Sequence, residues 1–235
     1  MIYVPGTPAV QPKLSIIVPV LNEAKVLTDL LTHLTHWQQR GAEVVIVDGG
    51  STDQTTTMAH SAGFDVITTA ASRAHQMNAG ALACHAPHLL FLHADTRLPA
   101  NADTILARTF NATGSIWGRF DVMIQGHSKM LPVVATLMNW RSRLSGIATG
   151  DQALFMTREL FNKVGGFPEQ PLMEDVEISK RLKNICPPVC LREKVITSGR
   201  RWDDRGSWRT IWLMWQLRWA YWRGEPAHKI AERYR

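Results

Sequence analysis

Leu14-Ser-Ile-Ile-Val-Pro-Val20 is a short β-branched run that ends in Leu21-Asn22-Glu23. So many consecutive apolar residues fit a strand buried on both faces, as in a parallel sheet. Asn22 can cap a following helix, on which Leu27, Leu30, Leu31, Leu34 and Trp37 form one apolar stripe. Gly41 ends that helix, and Val44-Val-Ile-Val47 is the next strand. The loop Asp48-Gly-Gly-Ser-Thr-Asp53 leads into a helical segment reaching about Ser61. Val66–Thr68 reads as a third strand, Ala74–Cys84 as an alanine-rich helix, and Leu89-Leu-Phe-Leu92 as a fourth strand. Strand and helix alternate four times, which predicts an α/β domain with a mostly parallel, Rossmann-related sheet covered by helices.

Beyond Pro99 the rhythm loosens. Helices are predicted over 102–110, 129–144 (with Pro132 in the first turn) and 175–183, and strands over 118–124, 153–156 and 195–197. This second half reads as built around the first rather than as an independent domain. The boundaries are then 1–200 for the main domain, with halves of about 13–99 and 100–200, and 201–235 for a helical tail.

The chain has 235 residues, 45% hydrophobic and 20% charged, ordinary values for one substantial globular core. Its three cysteines, Cys84, Cys186 and Cys190, have no Cys-x-x-Cys spacing. This excludes a disulfide scaffold and a zinc site of that kind, and suits a reducing, cytoplasmic compartment. Met1–Gln11 lacks the basic flank and apolar core of a signal peptide, and the apolar stretch Met130–Met138 is too short to span a bilayer.

The net charge of +6 lies entirely in residues 192–235, which also hold six of the nine tryptophans. No nucleic-acid motif accompanies that charge, so a phosphate-bearing substrate or a membrane surface is the better fit. Trp208, Trp212, Trp215, Trp219 and Trp222 share an arc of about 80° on a helix. Such a face either packs on the main domain or a second subunit, or lies among lipid headgroups with Arg209, Arg218 and Arg223 meeting phosphates, followed by Lys229, Arg233 and Arg235. Leu213 and Leu217 form a second apolar face.

Ligands in an open parallel sheet bind beyond the carboxyl ends of its strands. There the sequence puts Asn22 and Glu23, Asp48 and Asp53, Ser72 and Arg73, and His93 and Asp95. Each has an ordinary structural use as a cap, a turn or a solvated side chain. Convergence of all four pairs on one crevice is what a binding site needs. Neither a Gly-x-Gly-x-x-Gly fingerprint nor a Walker loop is present. Strand-end carboxylates can instead bind ribose or base, and Arg73 suits phosphate oxygens. In Phe91-Leu-His-Ala-Asp-Thr96, Asp95 can hold Mg2+ or Mn2+ against a diphosphate, while His93 either ligates the ion or orients Asp95 or substrate. Glu174 and Asp175 open a predicted helix, where they act as dipole-stabilising caps or supply a general base.

Ser15-Ile-Ile-Val-Pro-Val-Leu-Asn-Glu23, Val47-Asp-Gly-Gly-Ser-Thr-Asp53, His93-Ala-Asp95 and Glu174-Asp175 together resemble the family 2 glycosyltransferases of the GT-A fold. Ser72-Arg-Ala-His-Gln-Met-Asn78 and Gly150-Asp-Gln-Ala-Leu-Phe155 are similar to stretches of its compact bacterial members. The resemblance, over about residues 13–200, implies inverting transfer of a sugar from a nucleotide-diphosphate donor, aided by Mg2+ or Mn2+, to a hydroxyl acceptor that can be lipid-linked. It places Pro19, Glu23 and Asp48 around the nucleoside, and Asp53 and Arg73 along base or diphosphate. It makes Asp95 the metal aspartate, and Asp175, beside Glu174, the catalytic base. His93 departs from the family's Asp-x-Asp pattern. Arg201-Trp202 lacks the glutamine of the Gln-x-x-Arg-Trp motif, which argues against a processive synthase. Two rival classes remain: a catalytically silent nucleotide-sugar or membrane-surface binder, and a nucleotidyltransferase. A homo-oligomer is a further expectation; nucleic acid is not expected as a partner.

Overall fold

The structure is a computed structural model that describes residues 11–112 and 116–234; Arg235 and most of Met1–Gln11 lie outside them. β1 (Leu14–Val20), α1 (Ala24–Gln39), β2 (Glu43–Asp48), α2 (Thr55–Ser61), β3 (Asp65–Thr68), α3 (Arg73–Ala83) and β4 (His88–Phe91) reproduce the predicted alternation. Successive residues of β1 point to opposite faces. Ile16, Val18 and Val20 pack with Leu27, Leu30, Leu34 and Trp37 of α1, while Ile17 packs with Ala74, Met77 and Ala81 of α3. Both faces of the strand are therefore buried, which is why its sequence shows no polar alternation. Gly80 lets α3 settle closely on the sheet: a Cβ there would overlap Ile17 and stand 2.9 Å from Val47 Cγ2.

The second half adds β5 (Thr96–Arg97), α4 (Ala102–Ala112), β6 (Trp117–Gln125), α5 (Leu131–Ser145), a 3-10 turn (Gly150–Gln152), β7 (Leu154–Thr157), α6 (Arg158–Lys163), α7 (Glu174–Lys183) and β8 (Val189–Ser198). All eight strands form one sheet in the order β3-β2-β1-β4-β7-β6-β8-β5. The first four neighbours are parallel as predicted, whereas β7 runs antiparallel to both β4 and β6, and β5 antiparallel to β8. The far half is thus mixed. The two-residue β5 was invisible to periodicity, and β8 is much longer than the 195–197 expected, because its first residues lie half-exposed at the sheet's rim.

The tail is three helices, α8 (Arg200–Arg205), α9 (Ser207–Trp222) and α10 (Ala227–Tyr234). Leu217 and Ala220 of α9 are buried with Met173 and Ile230, with Leu213, Met214 and Tyr221 packed around them. The five tryptophans are turned the other way and are between 59% and 79% exposed. Of the alternatives expected for the aromatic stripe, packing on the main domain is therefore corrected, while a second subunit and a lipid surface stay open. A helix lying on a surface buries one face, and here the smaller Leu217/Ala220 face fits against the segment around Met173. Among the described residues, no helix is long and apolar enough to cross a membrane.

Candidate active site

A cleft of about 430 Å³ opens where β1 and β4 end, walled on its far side by the start of α7 and by the tail. Pro19 and Glu23 enter it from the end of β1, Arg73 from the first turn of α3, His93 and Asp95 from the turn after β4, and Glu174 and Asp175 from the first turn of α7. Seven of the eleven residues singled out in the sequence thus share one cavity; Asn22, Asp48, Asp53 and Ser72 do not line it. Asp48 is buried, and its Oδ2 accepts the Gly50 (2.8 Å) and Ser51 (2.9 Å) N–H groups, while Oδ1 has no partner. Asp53 is taken up by backbone: it accepts from Ala24 N (3.1 Å) and from Thr55 N (2.9 Å), tying the loops after β1 and β2 together. Those bonds hold its carboxyl below the ordinary range, the Thr55 hydroxyl bond first among them.

Asp95 stands on a ledge made by β5 and β8. Its Oδ1 accepts long hydrogen bonds from the Thr96 (3.3 Å) and Thr197 (3.4 Å) hydroxyls, and among the described residues Oδ2 has none. Glu23 lies across the cleft, its carboxyl raised by burial against the opposing pull of Arg200, with Asp95 adding to the rise. His93 turns away from open solvent. Its Nδ1 is 3.2 Å from Asp151 Oδ1, and its Nε2 is buried without a partner, against Gly150. Burial pushes the Asp151 carboxyl up, but the His93 contact, with Arg73 and Arg201 beyond it, outweighs this and brings it down to about 2.

Asp175 is held at both oxygens: Gly150 N–H donates to Oδ2 (3.0 Å) and Val176 N–H to Oδ1 (2.7 Å). Glu174 beside it is 5% exposed, and burial, then the neighbouring Asp175 charge, raises its carboxyl against the pull of Arg73. Arg73 Nη1 is 3.9 Å from Glu174 Oε1. Met173, immediately before the pair, has a left-handed φ of 66°, a costly conformation for a side chain with a Cβ. It is held there by packing on Leu217, Ala220 and Ile230 of the tail. Tyr221 of α9 adds a second brace, its hydroxyl donating to Glu177 Oε2 at 2.9 Å.

Among the described residues there is no group of three or more His, Cys, Asp or Glu side chains able to enclose a metal. Asp95, at the strand end, offers the cleft a carboxylate whose hydrogen bonds among the described residues are all to Oδ1. That fits Mg2+ or Mn2+, which binds through one or two carboxylates and takes its remaining ligands from substrate phosphates and water.

The sequence profile of glycosyl transferase family 2 matches residues 15–163. The chain belongs to glycosyl transferase family 2. Its fold is that of solved GT-A glycosyltransferases. The S. aureus TarS fragment 1–349 superposes with a TM-score of 0.64 at 19% identity, over 80% of this chain and 60% of that one. The mannosyltransferase PcManGT from Pyrobaculum calidifontis, solved with GDP-Man and Mn2+, superposes with a TM-score of 0.64 at 19% identity, over 91% and 62%. Glucosyl-3-phosphoglycerate synthase from Mycobacterium tuberculosis, solved with Mg2+ and UDP, gives 0.59 at 14% identity, over 79% and 70%. This family 2 chain therefore spans about three fifths of the first two structures it resembles. No curated protein sequence matches it significantly.

Asp151, Arg218 and Tyr221 of this family 2 chain were not singled out as site residues. Asp151 did fall within the quoted Gly150-Asp-Gln stretch, and Arg218 was noted only as a flank of the tryptophans. Their place in the cleft or its wall depends on contacts spanning 58 residues for His93–Asp151 and 44 for Tyr221–Glu177, which no local pattern encodes.

Proposed function

We propose that this family 2 chain transfers a sugar from a nucleoside-diphosphate donor to an acceptor hydroxyl with inversion at the anomeric carbon. The observation that carries the reading is a single cleft lined by both a strand-end carboxylate, Asp95, and a helix-start carboxylate, Asp175. The nucleoside lies along Pro19 and Glu23 at the end of β1, with the unpartnered Oδ1 of Asp48 next to that strand end. Arg73 receives diphosphate oxygens. A divalent cation held by Asp95 supplies charge that stabilises the departing diphosphate. His93 acts by positioning Asp151 rather than through an exposed ring nitrogen.

Asp175 is the base. Two backbone N–H groups fix its carboxylate, so it meets the acceptor hydroxyl in one orientation. As the acceptor proton passes to Asp175, the acceptor oxygen bonds to the anomeric carbon and the bond from that carbon to the diphosphate oxygen breaks. The nucleoside diphosphate carries away the electron pair. Glu174, buried and with a raised carboxyl, orients Asp175 or binds substrate. Structural neighbours solved with GDP-Man and Mn2+, or with UDP and Mg2+, support a nucleoside-diphosphate donor and a divalent cation.

A panel of nucleotide sugars tests this reading, first by thermal protection and then by transfer, with the anomeric configuration of the product read by NMR. A retained configuration overturns inversion. Release of inorganic diphosphate points to a nucleotidyltransferase, and donor binding without transfer across many acceptors points to a silent binder.

The exposed face of α9 belongs to the same proposal, as a dock for an anionic bilayer carrying a lipid-linked acceptor. Its five indoles are amphipathic and exposed, and Arg209 and Arg223 flank one edge of the stripe, with the Arg223 guanidinium over the Trp219 ring. Each basic residue near an anionic surface contributes about 1 kcal/mol. α5 bears a second exposed stripe, Val133, Leu137, Trp140 and Leu144. Flotation with neutral and anionic vesicles decides. Binding to anionic vesicles that is lost in Trp212→Ser/Trp215→Ser/Trp219→Ser supports the dock. Binding to neither vesicle overturns it, and a concentration-dependent dimer that buries the indoles assigns the face to a second copy instead.

A further inference from the structure

Three arginines meet around α5, and two of them are satisfied. Arg119, fully buried, pairs with Asp121 and also donates to Ser142 Oγ (3.0 Å) and Asn139 O (3.1 Å). Arg143 shares the same carboxylate, Nη2 to Asp121 Oδ2 at 2.6 Å. Arg141, between them in sequence on α5, has no such partner: its Nε and Nη2 are buried with nothing to donate to. A guanidinium removed from water without an acceptor is among the costliest arrangements in a protein.

The charge that acts on Arg141 most strongly is another cation. Arg218 reaches the cleft from α9, on the flank between the exposed indoles and the buried Leu217 face, and among the described residues it has no hydrogen bond or ion pair. Burial lowers Arg141 to about 9, with Arg218 the next cause, and burial also lowers Arg218. Asp175 and Asp151 are near enough to act on both, but at distances too long for bonds. Arg73 reaches both Glu23 and the carboxylates beside Asp175, lying 3.9 Å from Glu174, whereas Arg141 and Arg218 act on Asp175 and Asp151 without a bond to either.

We infer that Arg218 and Arg141 form a subsite for a phosphate monoester on the acceptor, next to the hydroxyl that Asp175 deprotonates. Arg218 lines the cleft, and Arg141, outside the lining, keeps Nε and Nη2 without an acceptor; together they leave a cationic gap that a dianion fills, bound by the Arg218 fork with the Arg141 charge behind it. Calling the ligand the acceptor rests on the transfer reading; the binding of a phosphate there does not. The group can arrive on a soluble metabolite or on a lipid headgroup. The position of Arg218 on the helix that carries the indoles is compatible with either source.

Calorimetric binding separates these cases without needing turnover. The probes are glycerol 3-phosphate, hexanoyl lysophosphatidic acid, and monohexanoylglycerol as the unphosphorylated control. Each is titrated into the full chain with Mn2+ and whichever of UDP, GDP, ADP, CDP or dTDP protects it most against heating. We expect both phosphates to bind and the control to bind at least about 10-fold more weakly, the scale of lost charged hydrogen bonds. Arg218→Gln and Arg141→Gln should each weaken phosphate binding about 10-fold or more while nucleotide binding changes less than about 2-fold. Arg218→Lys, which keeps the charge and is the safer variant for folding, should lose less. Tighter binding of the lipid probe assigns the source to a headgroup, and equal binding to a soluble acceptor. Equal affinity for phosphate and control, or phosphate binding indifferent to all three substitutions, overturns the subsite. If no nucleotide protects the chain, the same titrations run without one: phosphate binding that still depends on Arg218 keeps the subsite while the donor reading fails.

Discussion

Replacing Gly150 with alanine puts a methyl group where the His93 ring lies. A Cβ at this position would overlap His93 Nε2 and Cε1, with Cδ2 only 3.3 Å away. The ring is not a flexible end that swings aside: His93 is 12% exposed in its side chain and is tied to Asp151 through Nδ1. Overpacking of this kind costs about 1–3 kcal/mol. For a chain of this length each kcal/mol lowers Tm by about 2–4 °C, so Gly150→Ala should melt about 2–12 °C below the parent. The same backbone carries the N–H that donates to Asp175 Oδ2 at 3.0 Å, and displacing a base by about 1 Å costs on the order of 100-fold in rate. A double-mutant cycle with His93→Ala isolates the clash. Removing the ring should restore most of what Gly150→Ala loses, a coupling of about 1–3 kcal/mol by urea denaturation. If Gly150→Ala costs the same with and without the ring, within about 0.5 kcal/mol, the packing argument fails.

Asp95→Ala should lower transfer at least about 100-fold and abolish stimulation by Mn2+ or Mg2+, whereas a folded variant with unchanged turnover removes Asp95 from the mechanism. Asp175→Asn should keep nucleotide-induced thermal protection and lose most transfer, with Glu174→Gln milder; the reverse order of severity exchanges their roles. Asp151, held below its ordinary 3.8 at about 2, contributes stability above pH 4 that is lost as the pH falls through 2. Asp151→Asn should therefore show a shallower loss of stability between pH 4 and pH 2, and an unchanged slope in acid denaturation curves counts against the His93 contact. Leu217→Ala empties a 1% exposed position under Met173 and should cost about 2–5 kcal/mol of stability, read in urea.

The sequence by itself determined the parallel half of the molecule. Ile16, Ile17, Val18 and Val20 are apolar on consecutive residues because helices cover both faces of β1, and the leucine stripe of α1 repeats at the helical period because only one of its faces meets the sheet. Once these strands are parallel, their carboxyl ends must share one edge, so Glu23, Arg73, His93 and Asp95 fell into one cleft without any contact being known. Tertiary structure decided the rest. The pairing of Thr96 with Thr197 that props up Asp95 joins residues 101 apart, and a two-residue strand has no period to detect. Asp53 carries the same chemistry as Asp95, yet the backbone N–H groups of Thr55, two residues on, and of Ala24, at the start of α1, claim it. The tail shows the division most plainly. The spacing of Trp208 to Trp222 fixes one aromatic face, because helix geometry is local. Which face of that helix is buried depends on the fit of Leu217 and Ala220 against Met173 and Ile230, and that surface exists only after the chain has folded.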